Sequence, residues 1–330
     1  MKRLFLLALV AGLALAGCQR EEGEVVFEAS LAHNNAKISM DANNLLAWEE
    51  GDLVRISDQV SGTVFEVHTD NASNIAHLHQ KLQKDNSHQY RNSTNYFAIY
   101  PGPGEDLNNY ISSTNTSAQN IFFRANSIGN EQIVTNDRHY DKDWLVCTAA
   151  NRGSANPSSG TRTVHLQFHN CMALLKCTIA PSYTDICQLK VTADNDGAPI
   201  GGHAWVSACD AGVDLVNNYY SSGTLTPQWT ITMKKQDNGA LTPGDYYIAI
   251  WSDYYNSTST SRSPSMNTSD YLSHTTKKNV TITPCDESGT AISGYGSYTV
   301  NEYSFFRNTI YPVGTFPKTS KESKEASIFH

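Results

Sequence analysis

A chain of 330 residues with 24 basic and 32 acidic side chains, net −8, has no cationic excess with which to hold a nucleic acid backbone. At this length a chain buries about three quarters of its unfolded surface and forms one large or two modest domains, and two are expected here. Only 17% of residues are charged. Ser, Thr, Asn, Gly and Tyr are frequent and sustained runs of helix formers are missing, so the texture argues against a helical bundle and for an all-β chain of short strands separated by turns.

The chain opens Met1-Lys2-Arg3, continues with an apolar run from Leu4 to Leu15, and closes that run on Ala16-Gly17-Cys18. Spanning a bilayer takes roughly 20 apolar residues, and the run has no polar face with which to sit as a surface helix. Small residues directly before a cysteine predict a lipoprotein signal peptide over 1–17, cleaved so that Cys18 becomes the lipidated N-terminus of an anchored, non-spanning protein. Its removal takes away Lys2 and Arg3, leaving 313 residues with 22 basic against 32 acidic groups, net −10. Residues 18–24 then form a lipidated tether. The aspartate that retains many lipoproteins at the inner membrane is absent from Gln19-Arg20-Glu21-Glu22, and the acidic pair suits either a surface-export signal or a plain solvated tail.

Glu24 to Ala32 alternates, with Val25, Phe27, Ala29 and Leu31 on one face and Val26, Glu28 and Ser30 on the other, and is predicted to be a half-buried strand. After the polar stretch His33 to Lys37, Trp48 ends a second apolar segment, Glu49 to Asp52 turn at Gly51, and Leu53 to Ile56 start the next strand. Gly62 to Val67 and Ile75 to Leu82 read as a hairpin with Ala76, Leu78 and Leu82 inward. His77 and His79 share its outer face at a spacing that suits a metal clip, but no third ligand is signalled and an exposed polar face accounts for them. Tyr96 to Tyr100 is a strand stopped by Pro101-Gly102-Pro103-Gly104, and residues 105–140 read as a long loop or short strands.

Strand character resumes at Asp143 to Ala149 and at Val164 to Phe168. The inward parity changes across His169-Asn170, as a bulge would cause, which makes His169 a turn or bulge residue rather than a base. Pro181 is taken as the boundary between a first domain, 25–180, and a second, 181–317, with a polar tail over 318–330. Further strands are expected at Ile186 to Val191, His203 to Val206, Trp229 to Met233, Gly244 to Trp251, Lys278 to Thr283, Ser297 to Val300 and Phe305 to Phe316. Asp194 to Gly197 reads as a turn, because the distal glutamate of a calcium loop is not at its spacing.

Six cysteines remain beyond Cys18: Cys147, Cys171, Cys177, Cys187, Cys209 and Cys285. They are too sparse for a disulfide scaffold and lack CxxC or zinc spacing, so reduced, core-filling thiols are expected. Reaction machinery is not signalled: HExxH, GxSxG, a P-loop and GxGxxG are missing from the sequence. No enzyme activity, metal or cofactor is expected beyond covalent lipid on Cys18. The aromatics Trp251, Tyr254 and Tyr255, with Tyr246 and Tyr247, either fill a core or present rings to a ligand.

Taken in order, Cys18, Trp48-Glu49-Glu50-Gly51-Asp52, Tyr96-Phe97-Ala98-Ile99-Tyr100-Pro101, Asp143-Trp144-Leu145-Val146, Val164 to His169 with Ala173-Leu174-Leu175, and Arg307-Asn308-Thr309-Ile310-Tyr311 resemble the fimbrillin-like proteins of anaerobic Gram-negative bacteria. That family includes type V pilins and their anchor and tip relatives. The resemblance implies two transthyretin-like, Greek-key β-sandwich domains in tandem, export as an outer-membrane lipoprotein, and a place in cell-surface fimbriae that adhere to host or bacterial glycans and proteins. For polymerising members it implies that a trypsin-like protease cuts beyond the first strand, the strand departs with its lipid, and a segment of another subunit fills the groove. Mapped here, Val25, Phe27, Ala29 and Leu31 form the replaceable strand, with Lys37 and Arg55 as candidate cut sites. The family's usual cut follows arginine, whereas the expected loop offers only Lys37, and the mostly polar or charged residues 318–330 follow the last apolar strand, so an uncleaved anchor or accessory subunit stays open as an alternative. The alternatives from other classes are a non-polymerising surface lipoprotein that binds carbohydrate or protein, and a secreted glycan hydrolase with facing carboxylates.

Overall fold

The computed structural model describes residues 24–31, 48–58, 62–69, 75–80, 95–100, 112–114, 121–128, 130–136, 138–141, 145–151, 153, 160–208, 218–219, 228–252, 277–300, 305–307 and 309–318. Among these every regular element is a strand, so the chain is all-β. Strands are numbered in chain order. Seven close into a barrel: β1 (Glu24–Leu31), β2 (Leu53–Ser57), β3 (Gly62–Thr69), β4 (Ile75–Gln80), β5 (Tyr96–Tyr100), β9 (Cys147–Asn151) and β10 (Thr161–Asn170), in the order β1-β10-β9-β5-β2-β3-β4. Closure comes from β1, which pairs in parallel with β10 and antiparallel with β4.

The second body is made of two further sheets. One runs β16 (Gly244–Trp251), β11 (Met172–Ile179), β19 (Thr309–Phe316). The other runs β18 (Tyr298–Val300), β17 (Val280–Cys285), β12 (Gln188–Thr192), β15 (Thr230–Lys235), β8 (Glu131–Val134). A fourth sheet, β14 (Asn218–Tyr219), β13 (Gly202–Ala208), β7 (Ile121–Ile128), β6 (Ser112–Thr114), joins strands from both halves of the sequence. Residues 105–140, expected as loop or short strands, thus include an eight-residue strand, β7.

The buried apolar residues fall into two clusters that follow these bodies. The barrel core gathers Phe27, Ala29, Val54, Phe65, Val67, Leu78, Tyr96 and Phe168. The other core gathers Leu174, Leu175, Leu189, Val191, Ile231, Ile248, Ile282 and Phe316 across the two facing sheets.

One expectation is corrected. The parity change at His169-Asn170 is a crossing rather than a bulge: β10 ends in the barrel at Asn170 and β11 begins in the neighbouring sheet at Met172. β11 and β8, which precede Pro181, pair with strands that follow it. The seven-stranded sheet of the first body closes on itself because β1 has a partner on each side. The Asp194 to Gly197 segment is a turn, closed by Gly197 N–H on the Asp194 carbonyl at 3.1 Å, with Asp196 ion-paired to Lys278 and Asn279 donating to Asp194.

Candidate functional site: the first strand in its groove

β1 is a strand because its apolar residues recur every second position, which places one complete face on the core. Phe27 is 2% and Ala29 0% exposed, Val25 and Leu31 pack partly against the same cluster, and Val26, Glu28 and Ser30 are half-buried on the other side. Phe27 is the anchor. Its ring meets Phe65 at 5.2 Å and Tyr96 at 5.1 Å, both edge to face, a geometry that adds to the area it buries. Eight consecutive register pairs tie β1 to β10 and four tie it to β4, so its removal would leave two unpaired strand edges and the pocket that Phe27 fills.

The Trp48 to Asp52 segment closes one end of this barrel. Gly51 takes φ +84°, which a side chain resists, and the turn is fixed by Asp52 N–H on the Glu49 carbonyl, Glu49 N–H on Asp52 Oδ2 at 2.9 Å, and Gly51 N–H on the Val67 carbonyl. Trp48 packs edge to face on Tyr100 at 5.4 Å and on Phe168 at 5.1 Å. Tyr100 donates to Asp52 Oδ1 at 3.4 Å, and burial together with the Asp52 charge pushes its phenol well above the ordinary range. At the other end of β10, Arg162 donates to the Tyr96 hydroxyl, and its guanidinium lies 5.3 Å from that ring; burial raises the Tyr96 phenol.

The remaining sequence candidates are placed as follows. Arg55 lies mid-strand in β2, paired with Val64 of β3 and Ile99 of β5, so its backbone is locked between two neighbours and does not offer a protease an extended loop. Cys18, Lys37, Tyr254 and Tyr255 lie outside the described residues. Trp251 is 0% exposed and its indole N–H donates to the Gly202 carbonyl at 2.9 Å, so the ring belongs to the core and not to a ligand surface. Tyr246 and Tyr247 are buried with it. Cys147, Cys171, Cys177 and Cys285 are buried free thiols and Cys187 is a half-exposed one, with burial raising the thiols of Cys147 and Cys177. His77 and His79 face outward, and no group of three or more metal-ligating side chains occurs among the described residues. His169 is neutral near pH 7, since burial and the Arg307 charge push it down to about 4.

Sequence reasoning missed the groups that act on β1 from its neighbours. Glu28 faces His165 and His77, and nothing in the linear pattern signals a contact that depends on a parallel pairing across more than a hundred residues.

What fold and site together define is an all-β protein whose notable feature is an N-terminal strand seated in a groove. No family model and no curated protein matches the chain. Among solved structures, it is similar to a candidate cell adhesion protein of Bacteroides ovatus at 13% identity and TM-score 0.46, covering 90% of this chain and 93% of that one. It is similar to a fimbrial protein of Bacteroides ovatus at 12% identity and TM-score 0.32, covering 91% of this chain and 49% of that one. A third likeness is to a fimbrilin of Porphyromonas gingivalis, at 11% identity and TM-score 0.29, with 82% and 74% covered.

Proposed function

We propose that the protein is a fimbrillin-like structural subunit of cell-surface fimbriae, a pilin or an accessory or anchor component, assembled by β-strand exchange and contributing to adhesion. In this reading it is exported as a lipoprotein, held at the outer membrane by lipid on Cys18, and built as tandem units of the transthyretin-like type. Its partners are other fimbrial subunits and the surface glycans or proteins that the fimbriae meet. No enzyme activity is proposed.

The observation that carries the reading is the position of β1. The strand nearest the predicted lipid anchor completes the barrel through backbone ladders on both sides and a single row of inward side chains. Those are the features that an incoming extended segment reproduces in β-augmentation: ladder groups supply affinity and alternate pockets supply specificity. The ligand-binding alternative loses Trp251, whose ring is in the core.

Purified protein beginning at Cys18 would be incubated with a trypsin-like protease, the new N-terminus sequenced, and the product examined for detergent-resistant ladders. Cleavage between β1 and Trp48 followed by ladders is the expected outcome. A folded, uncut monomer contradicts assembly by this route.

A further inference from the structure

Arg307 stands where the approach to β19 meets the barrel. Its backbone is fixed from the β19 side: Thr309 Oγ1 donates to the Arg307 carbonyl at 3.0 Å, and the neighbouring Phe306 N–H donates to the Tyr311 hydroxyl at 2.7 Å. Its side chain reaches β9 and β10, where one nitrogen, Nη2, donates to Thr148 Oγ1 at 3.1 Å and to the His169 carbonyl at 2.9 Å. Thr148 and His169 are register partners, so one guanidinium meets both strands of that ladder. The rest of it is unsatisfied. Nε and Nη1 of Arg307 are buried without a hydrogen-bond partner, and so is Nε2 of His169. Among the described residues no ion pair joins Arg307 to a carboxylate. The Cys147 thiol, which feels the Arg307 charge, is held neutral by burial and supplies no counter-charge.

We propose that Arg307 and His169 hold a small anion of the halide type, chloride being the commonest, between β10 and the start of β19. A guanidinium stays charged in a protein, and a buried charge with neither counter-ion nor acceptors is strongly destabilising. The donor set fits an anion: Nε–H and Nη1–H of Arg307 carry the charge, and neutral His169 in its Nε2–H tautomer adds a third hydrogen. Burial, with the Arg307 charge behind it, pushes His169 down to about 4, so the ring does not add a second cation that would call for a dianion. A water could accept two of these hydrogens but brings no charge. Enclosure favours a one-atom anion over a branched one such as phosphate, which would leave oxygens without donors. Bound there, the anion would tie the end of β10 to the segment leading into β19. The site does not depend on strand exchange, and its presence or absence leaves that reading untouched.

The test uses isotope-labelled protein beginning at Cys18, at about pH 7 where the His169 ring is neutral, with sodium gluconate replaced stepwise by sodium chloride at constant ionic strength. Two quantities are read: the Arg307 Nε–H resonance, assigned by its loss in R307K, and the thermal midpoint. The resonance should move along a saturating curve, and the midpoint should rise by about 3 °C once chloride exceeds its dissociation constant about tenfold. R307K, which keeps the charge without the planar fork, and H169F, which removes the imidazole donor, should each move the midpoint curve to about tenfold higher chloride or flatten it. Bromide should reproduce both changes. Acetate that moves the resonance at lower concentration than chloride would overturn the halide assignment. A resonance and a midpoint indifferent to chloride at constant ionic strength would overturn the site. Should either variant fail to fold, the titration of the native chain decides by itself.

Discussion

Gln132 shows what a single side chain does in this fold. It is 0% exposed, its amide nitrogen donates to the Ala249 carbonyl at 2.6 Å, and its amide oxygen accepts the Ala249 N–H at 3.1 Å, so it acts as one residue of a missing strand along the edge of β16. Tyr247 and Trp251, its neighbours on that edge, donate their N–H groups to the carbonyls of His139 and Ile200. Replacing Gln132 with Leu leaves a buried donor and a buried acceptor unmet and should cost about 2–4 kcal/mol in urea unfolding, whereas Gln132→Glu would add a buried charge and cost more. Gly314, at φ +154°, is equally constrained, because a Cβ there would fall within the Tyr298 ring. Gly314→Ala should destabilise by about 2–3 kcal/mol, and trimming Tyr298 to Ala in the same chain should recover part of that loss. The unfolded His169 imidazole takes up a proton near pH 6.5, while the folded one, pushed down to about 4, refuses it. Stability is then full above about pH 6.5 and falls by about 1–2 kcal/mol toward pH 4 after allowance for screening, a slope that His169→Gln should flatten in melts across that range.

At the scale of elements, alternation was the legible signal. Val25, Phe27, Ala29 and Leu31 alternate, and Phe27 and Ala29 are buried where that pattern puts them. The Glu49 to Asp52 turn was legible for the same local reason, that Gly51 tolerates the φ the turn needs. Pairings were not legible. The parallel register of β1 with β10 brings Glu28 to His165, and β11 lies in parallel with β19, contacts set by chain topology rather than by any window of sequence. The crossing at Asn170 to Met172 carried a visible parity change but no sign that two sheets were involved. Trp251 was ambiguous because an aromatic cluster looks alike whether it faces a core or a ligand, and only the partner of its indole N–H decides. Within β1 the two faces should separate cleanly in a stability assay. Phe27→Ala removes a ring fitted between Phe65 and Tyr96 and should cost about 3–4 kcal/mol, while Ser30→Ala on the outer face should stay within about 0.5 kcal/mol.

For the molecule as a whole, the two cores are unequal in how they are closed. The second body takes its strands from widely separated stretches, β8, β11, β12, β15 to β19, so its sheets are held by the middle and the end of the chain together. The barrel depends on its first strand, the segment next to the predicted anchor, for closure at both edges. In the proposed role this fold loses β1 to a cut and keeps the rest of its pairing. In that role, the strand next to the predicted anchor is also the strand whose absence creates a binding groove. The most direct measurement is to prepare the chain beginning at Trp48, without β1, and add a synthetic peptide of residues 24–31. The truncated chain alone should form detergent-resistant oligomers, and peptide should bind at one per chain and suppress them, with Phe27→Ala peptide binding at least tenfold more weakly by the loss of its anchor, about 1.4 kcal/mol or more. A truncated chain that is folded, monomeric and indifferent to the peptide would contradict the account.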